Sequence, residues 1–402
     1  MRQVKRRRVF YIPGYDPIHP RRYRELYRKE GAAQAEISGY EIGLKPKRTK
    51  GPYGWQVASV IDGAQVQADV QVLVWSDIVR DSMSNTIPAT YAQLVVTAWT
   101  YIGTGALWRL MKLRKGPVIA ALYPVGMLMA QLGLAILLCY LCVCGGYLVL
   151  GTLGAVLGVL PGLALGALLL RWFKKHDGRF YAYYLMHDYA YSARFGGANP
   201  EPLEARMAEF ADIIAEALSQ DVDEVLVVGH SSGAHLAVSV LADVIRQGRV
   251  SGNGPALGFL SLGQVVPMVS FLPRAHRLRA DLAYLSAREE LTWVDVTAPG
   301  DGCAFALCDP VSVSGVAPAD KRWPLVFSAR FTRSLSPERW KELRWKFFRL
   351  HFQYMCAFDR PRDYDYFQIT AGPKTLAARY AKKSPSKSQI DVAVSKFTSV
   401  AA

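Results

Sequence analysis

The stretch Gly229-His230-Ser231-Ser232-Gly233 combines residue types and spacing that point to covalent chemistry. An apolar run at residues 225–228 leads into it, and a helix-like pattern at 234–246 follows at once. A serine between a strand and a helix, flanked by glycines, is the elbow that lifts a nucleophile out of a fold. Side chains at the two glycine positions would collide with the neighbouring strand and helix. Ser231 is the candidate nucleophile, and its hydroxyl is a weak one until a base takes its proton. Ser232 offers its backbone N–H to a developing oxyanion, helped by the helix N-terminus that it opens. The competing reading is a tight turn that contains serine, in a chain with 33 glycines.

Whether Ser231 can act depends on the elements that hold it. Residues 9–12, 70–75, 225–228, 256–262 and 291–296 read as strands, and 323–331 as another. Residues 19–34, 201–218 and 234–246 read as helices, and Leu203, Met207, Phe210, Ile214 and Leu218 share one face of the second. Residues 37–67 carry β-like stretches broken by glycine and proline, a hairpin excursion. The alternation predicts an α/β fold with a mostly parallel sheet covered by helices on both faces. In such sheets chemistry sits at the carboxyl ends of the strands.

At residues 9–15, 70–75 and most of 223–354 the chain resembles the α/β-hydrolase fold superfamily. That resemblance implies the order nucleophile, acid, base, with the acid on the loop after a later strand. Residues 291–296 are that strand, and Asp301 matches the acid; Asp295 lies within the strand and Asp309 further along. His351 is the only histidine after Asp301 and is the implied base. Residues Ile12-Pro13-Gly14-Tyr15 resemble the superfamily's His-Gly loop with proline in place of histidine. The backbone N–H of Tyr15 is the second candidate oxyanion donor, with Asp16 fixing the loop through local amides. No metal and no organic cofactor is implied.

The chain also holds something that a soluble esterase lacks. It is 51% hydrophobic and 20% charged, and residues 116–170 contain no Asp, Glu, Lys, Arg or His. A bilayer core of about 30 Å takes about 20 helical residues, so this run suits two spans. They are expected at 118–142 and 147–170, a two-helix transmembrane hairpin broken at Gly145-Gly146. Small residues in the second (Gly151, Gly154, Gly158, Gly162, Gly166) allow close helix contact in lipid. Arg109, Lys112, Arg114 and Lys115 precede the run, and Arg171, Lys174, Lys175 and Arg179 follow it, so both ends are expected on the cytoplasmic side. Residues 82–108 are also uncharged but more polar, and 91–110 read as a helix on the sheet or in the membrane interface.

The expected organisation follows. Residues 1–81 form the N-terminal part of the hydrolase domain, 82–115 an interfacial or sheet-covering helix and 116–171 the transmembrane hairpin. Residues 172–381 form the C-terminal part with the catalytic residues, and 382–402 a disordered tail rich in Lys, Ser and Pro. The net charge of +15 fits an anionic membrane surface better than nucleic acid, because the basic clusters flank the apolar run. The six cysteines form neither a zinc pattern nor a secreted disulfide framework. The expected protein is an integral one of a bacterial inner membrane with a cytoplasmic catalytic domain. Its partners would be the lipid bilayer and an acyl-ester or lipid substrate. Acyl transfer, thioester cleavage and a non-catalytic membrane scaffold on the same fold are the alternatives.

Overall fold

The computed structural model describes residues 3–47, 51–83 and 86–401. Residues 1–2 of the basic N-terminal cluster, 48–50 of the 37–67 stretch, 84–85 of the 82–115 segment and 402 of the tail lie outside the described residues.

Eight strands are formed: β1 (Arg6–Ile12), β2 (Glu41–Pro46), β3 (Gly54–Ile61), β4 (Ala64–Val72), β5 (Glu224–His230), β6 (Ala256–Leu262), β7 (Leu291–Thr297) and β8 (Leu325–Ser328). They make one sheet in the order β2-β3-β4-β1-β5-β6-β7-β8. Every residue of β5 is buried, as a strand covered on both faces requires. Its alternate side chains serve two cores. Val225 and Val227 pack with the helices Glu201–Leu218, Ser232–Arg246 and His276–Ser286. Leu226 and Val228 face Tyr23, Tyr27, Leu350 and Tyr354 on the other side.

The sheet is mixed, which corrects the expectation of a mostly parallel one. From β4 through β1 to β8 the neighbours run parallel. At the other edge β2, β3 and β4 are antiparallel. The 37–67 stretch is therefore no excursion; it forms the edge of the same sheet, with Trp55 opposite Val70. The cause is local. Asp62 and Gly63, with φ of 53° and 73°, make a two-residue connection that can only join antiparallel strands.

Residues Lys115–Lys175 form one long apolar helical segment instead of the expected helices 118–142 and 147–170, and no break falls at Gly145-Gly146. It is long and apolar enough to cross a membrane. Its single interruption is at Leu150 and Gly151, where the backbone leaves helical geometry and Gly151 takes a φ of 62°. Gly146 has a different task from the expected one, because a Cβ there would stand 2.1 Å from the carbonyl oxygen of Gly154. A Cβ on Gly158 would stand 2.5 Å from the Cys142 carbonyl oxygen and one on Gly162 2.9 Å from Cα of Cys139, so the chain after the interruption lies against the chain before it. Small residues make that contact, while Leu148, Val149 and Leu160 point outward. Helices Ile87–Gly103 and Ala106–Leu113 occupy the expected interfacial segment. Leu94 packs on Ala182, Met186 and Ala190, whereas Trp99 and Trp108 are exposed.

The tail expected to be disordered is instead hydrogen-bonded to the domain. Ile390 exchanges backbone bonds with Leu307 and Asp309, and Ser386 N–H donates to Val326. Arg109 donates to Val394 and Arg279 to Ser399. Apolar side chains Ile390 and Val394 enter a small core with Leu110, Leu113 and Phe305, which outweighs the tail's polar composition.

Arg7 explains why β1 begins earlier than its apolar run. Its guanidinium is fully buried and pairs with buried Glu224 of β5. It also donates to the carbonyls of Gly372 and Lys374, and Glu224 accepts from Leu376 N–H. Arg7→Met should cost about 3–5 kcal/mol because Glu224 would remain charged and buried without its partner. Joint replacement, Arg7→Met with Glu224→Leu, should cost much less. Thermal unfolding of the purified chain in detergent measures both.

Candidate active site

Ser231 stands between β5 and the helix Ser232–Arg246 with φ 56° and ψ −123°. This is backbone that a residue with a Cβ rarely adopts, at a strain of order 1–3 kcal/mol. The fold holds it there by close approach. A Cβ on Gly233 would lie 2.1 Å from the carbonyl oxygen of Ile12, and one on Gly229 would lie 2.7 Å from Cα of Ala234. Ser231 N–H donates to the carbonyl of Leu262 at 3.0 Å, which ties the turn to the end of β6. Gly14 lies directly beside the Ser231 side chain.

Asp301 follows β7 and is almost wholly buried. One carboxylate oxygen accepts from His351 Nδ1 at 2.8 Å and from the Tyr354 hydroxyl at 2.9 Å. The other accepts from the Cys303 N–H at 2.9 Å. Burial alone would raise this carboxyl, but His351 and the three hydrogen bonds outweigh burial and hold it below its ordinary value. An ionised carboxylate can only accept, so Nδ1 of His351 carries a proton, and in the neutral ring that tautomer leaves the lone pair on Nε2. Gly263, with φ 52°, makes room for the His351 ring: a Cβ there would be 3.1 Å from Cε1 of His351.

Ser231, Ser232, Tyr15 and His351 line one cavity of about 760 Å³, and Asp301 stands behind His351 outside it. The structure thus brings the five sequence candidates together. Ser231 Oγ has no hydrogen-bond partner among the described residues, and contacts of this kind commonly tighten only when substrate is bound. The backbone N–H groups of Tyr15 and Ser232 donate to no protein acceptor among the described residues, so both are free to receive an oxyanion. Asp16 accepts from the Ile18 N–H, Arg22 and the Tyr23 hydroxyl, a loop-fixing set.

Several residues take positions at the site that the sequence reading did not assign them. His230 Nε2 lies 3.0 Å from the His351 carbonyl and its ring is 4.7 Å from the His351 ring. Burial, then the neighbouring His351, pushes His230 down to about 3, so it stays neutral and donates to that carbonyl from Nε2–H. Tyr354 links Asp301 to the Ala298 N–H, and its position one helical turn past His351 was a usable signal. Asp188, half-buried on the cavity wall, is pushed up to about 7 by burial, opposed by His351. Nothing in the local sequence marks Asp188, which arrives from a helix of a separate segment, Ala182–Arg194.

Asp301, Cys303 and His351 also have donor atoms within 4.8 Å of one another, a spacing that could hold a metal. Their chemistry argues otherwise. His351 Nδ1 is committed to Asp301, the Asp301 oxygens already accept three bonds, and burial pushes the Cys303 thiol up, away from the thiolate that a metal needs. No protein-family model matches the chain, and neither a curated protein nor a solved structure matches it.

The rival carboxylates are otherwise employed. Asp309 caps a short helix and pairs with Lys321. Asp295 is fully buried in β7 and accepts from the Ser261 hydroxyl. Burial pushes Asp295 up to about 8, against the lowering effect of Ser261 and with a further rise from Asp309. The fold then binds this proton more tightly than the unfolded chain does. The resulting stability is fully present below the ordinary carboxylate range and is lost as pH rises toward about 8. Asp295→Asn should flatten that decline, seen as thermal midpoints measured across pH, and should leave the site intact.

Proposed function

We propose that the chain is a membrane-anchored serine hydrolase of the α/β-hydrolase type that cleaves an acyl ester, with a bilayer lipid as its substrate. Ser231 attacks the acyl carbonyl. His351 accepts the serine proton at Nε2 and returns it to the leaving alcohol. Asp301 holds the imidazole tautomer and stabilises the imidazolium. The amides of Ser232 and Tyr15 receive the oxyanion, and water then releases the acid from the acyl-enzyme. The observation that carries this reading is Ser231, held at a positive φ on a cavity wall shared with a histidine whose other nitrogen is bonded to a buried aspartate. Nucleophile, acid and base follow β5, β7 and β8 in turn, the order that the superfamily uses.

The membrane part of the proposal rests on the long apolar helix and its basic ends. The two arms on either side of Leu150–Gly151 enter the bilayer side by side, with Lys115 and Lys175 both on the cytoplasmic face of an inner membrane. The cavity supports a lipid substrate. Pro117, at the root of the long helix, and aromatic rings of Tyr101, Tyr181 and Tyr184 lie on its wall.

A fluorophosphonate probe should label the wild-type protein and fail to label Ser231→Ala. Ser231→Ala and His351→Ala should each lower ester turnover by roughly 10⁴-fold or more, and the double variant should be little worse, because the residues act as a unit. Asp301→Asn should be severe while Asp295→Asn stays active; the reverse pattern would reassign the acid. Cysteine-accessibility labelling at Lys115 and Lys175 should report the same side, and opposite sides would refute the folded-back arms.

A further inference from the structure

The segment just before His351 places large rings where no core receives them. Trp345 is 71% exposed and Phe347 50% exposed, whereas the next residue, Phe348, turns inward onto the cavity wall and packs on Tyr181 at 4.9 Å between ring centroids. Phe347 touches Gly302, in the loop that carries Asp301. Gly302 is also what Gly116 meets, at 3.3 Å from its Cβ position, and Gly116 is the second residue of the long apolar helix. Phe347 and the root of that helix therefore flank the same loop at the same level. Trp345 lies beside Phe347, with ring centroids 6.4 Å apart, and the Arg344 guanidinium stands over the Trp345 ring. Lys341, Arg344 and Lys346 are exposed in the same segment, and although Lys346 pairs with Glu342 the local balance stays basic.

We infer that Trp345 and Phe347 form a second membrane contact, seated in the headgroup zone of an anionic bilayer next to the mouth of the cavity. The inference rests on the membrane reading of the long helix. Exposed tryptophan beside phenylalanine and basic side chains is the composition that lies in an interface, with rings at headgroup depth and cations toward the phosphates. Continuity supplies the occupant: the patch shares Gly302 with the point at which the apolar helix leaves the domain. With Phe348 in the wall and Trp345 in the lipid, the cavity would open onto the bilayer surface, and the ester would reach Ser231 without crossing water.

The test uses the full chain in mixed phosphatidylcholine and phosphatidylglycerol vesicles carrying lipid brominated near the headgroup. The emission of Trp345 is read as the difference between wild type and Trp345→Phe. That difference should be quenched by the brominated lipid, and Trp345→Ser with Phe347→Ser should slow turnover of a bilayer-embedded long-chain ester about tenfold, which is about 1.4 kcal/mol. The same variant should hydrolyse a short soluble ester at the wild-type rate, which also shows that it folds. An unquenched difference in protein that resists carbonate extraction overturns the inference and leaves the membrane reading standing, and would point to a protein partner for the patch. Release of the wild type by carbonate overturns both. The quenching result is independent of catalysis, so a failure of Ser231 labelling is read separately.

Discussion

The site depends on one steric constraint: the backbone at Ser231 is held at a positive φ by neighbours that leave no room for relaxation. The end of β1 presses on Gly233, the start of the next helix presses on Gly229, and the end of β6 takes the Ser231 N–H. Three strands therefore meet at one residue. Strain of this kind persists only where surrounding structure over-determines it. Here the supply is a central strand buried along its whole length and a helix buried on most of its faces. The same crossing brings Gly14 and the free amide of Tyr15 beside the serine, so the proposed oxyanion pocket and nucleophile come from a single packing event.

Asp301 and His351, the proposed acid and base, are positioned by a different logic, a chain of hydrogen bonds. Ala298 N–H reaches the Tyr354 hydroxyl, that hydroxyl reaches Asp301, and Asp301 reaches His351 Nδ1. His230, next to the nucleophile, closes the circuit by bonding the His351 carbonyl. The circuit joins the loop after β7 to the segment after β8 and back to the end of β5. Each hydrogen bond in it is buried, the condition under which a polar network rigidifies a site. The long apolar helix is rooted in this circuit, since Gly116 abuts Gly302 of the acid loop. The proposed anchor and the proposed acid loop therefore share a joint.

The outer parts of the fold are clamped by the chain's own ends. Arg7 near the N-terminus pairs with Glu224 and bonds two carbonyls near residue 373. Residues 386–395 run across β8, the 307–313 segment and the helix Ala106–Leu113. Mixed topology has a related origin. The antiparallel β2–β3–β4 edge gives the long N-terminal segment a place in the sheet and buries Trp55, which would otherwise be exposed.

Much of this was legible in the chain itself. The all-apolar run into Gly-His-Ser-Ser-Gly implied a buried strand, a forced turn and a helix, because that composition can satisfy its backbone in few other ways. The charge-free stretch of residues 116–170 implied membrane-length apolar helix for the same kind of local reason, although as two spans where the structure has one long helical segment. The amphipathic helix Glu201–Leu218 was readable to its ends from its period. What local patterns do not carry is which distant segments touch. Residues 37–67 look like an excursion until Asp62-Gly63 folds them onto β4. Gly145-Gly146 looks like a break until Gly146 is seen packed against Gly154, with the interruption at Gly151. The polar tail looks disordered until Ile390 and Val394 find a core. Asp188, His230 and Gly263 acquire meaning only beside His351. Periodicity and composition act over a few neighbouring residues and determined the elements; long-range packing and the pairing of buried polar groups, which are properties of the assembled tertiary structure, decided their partners.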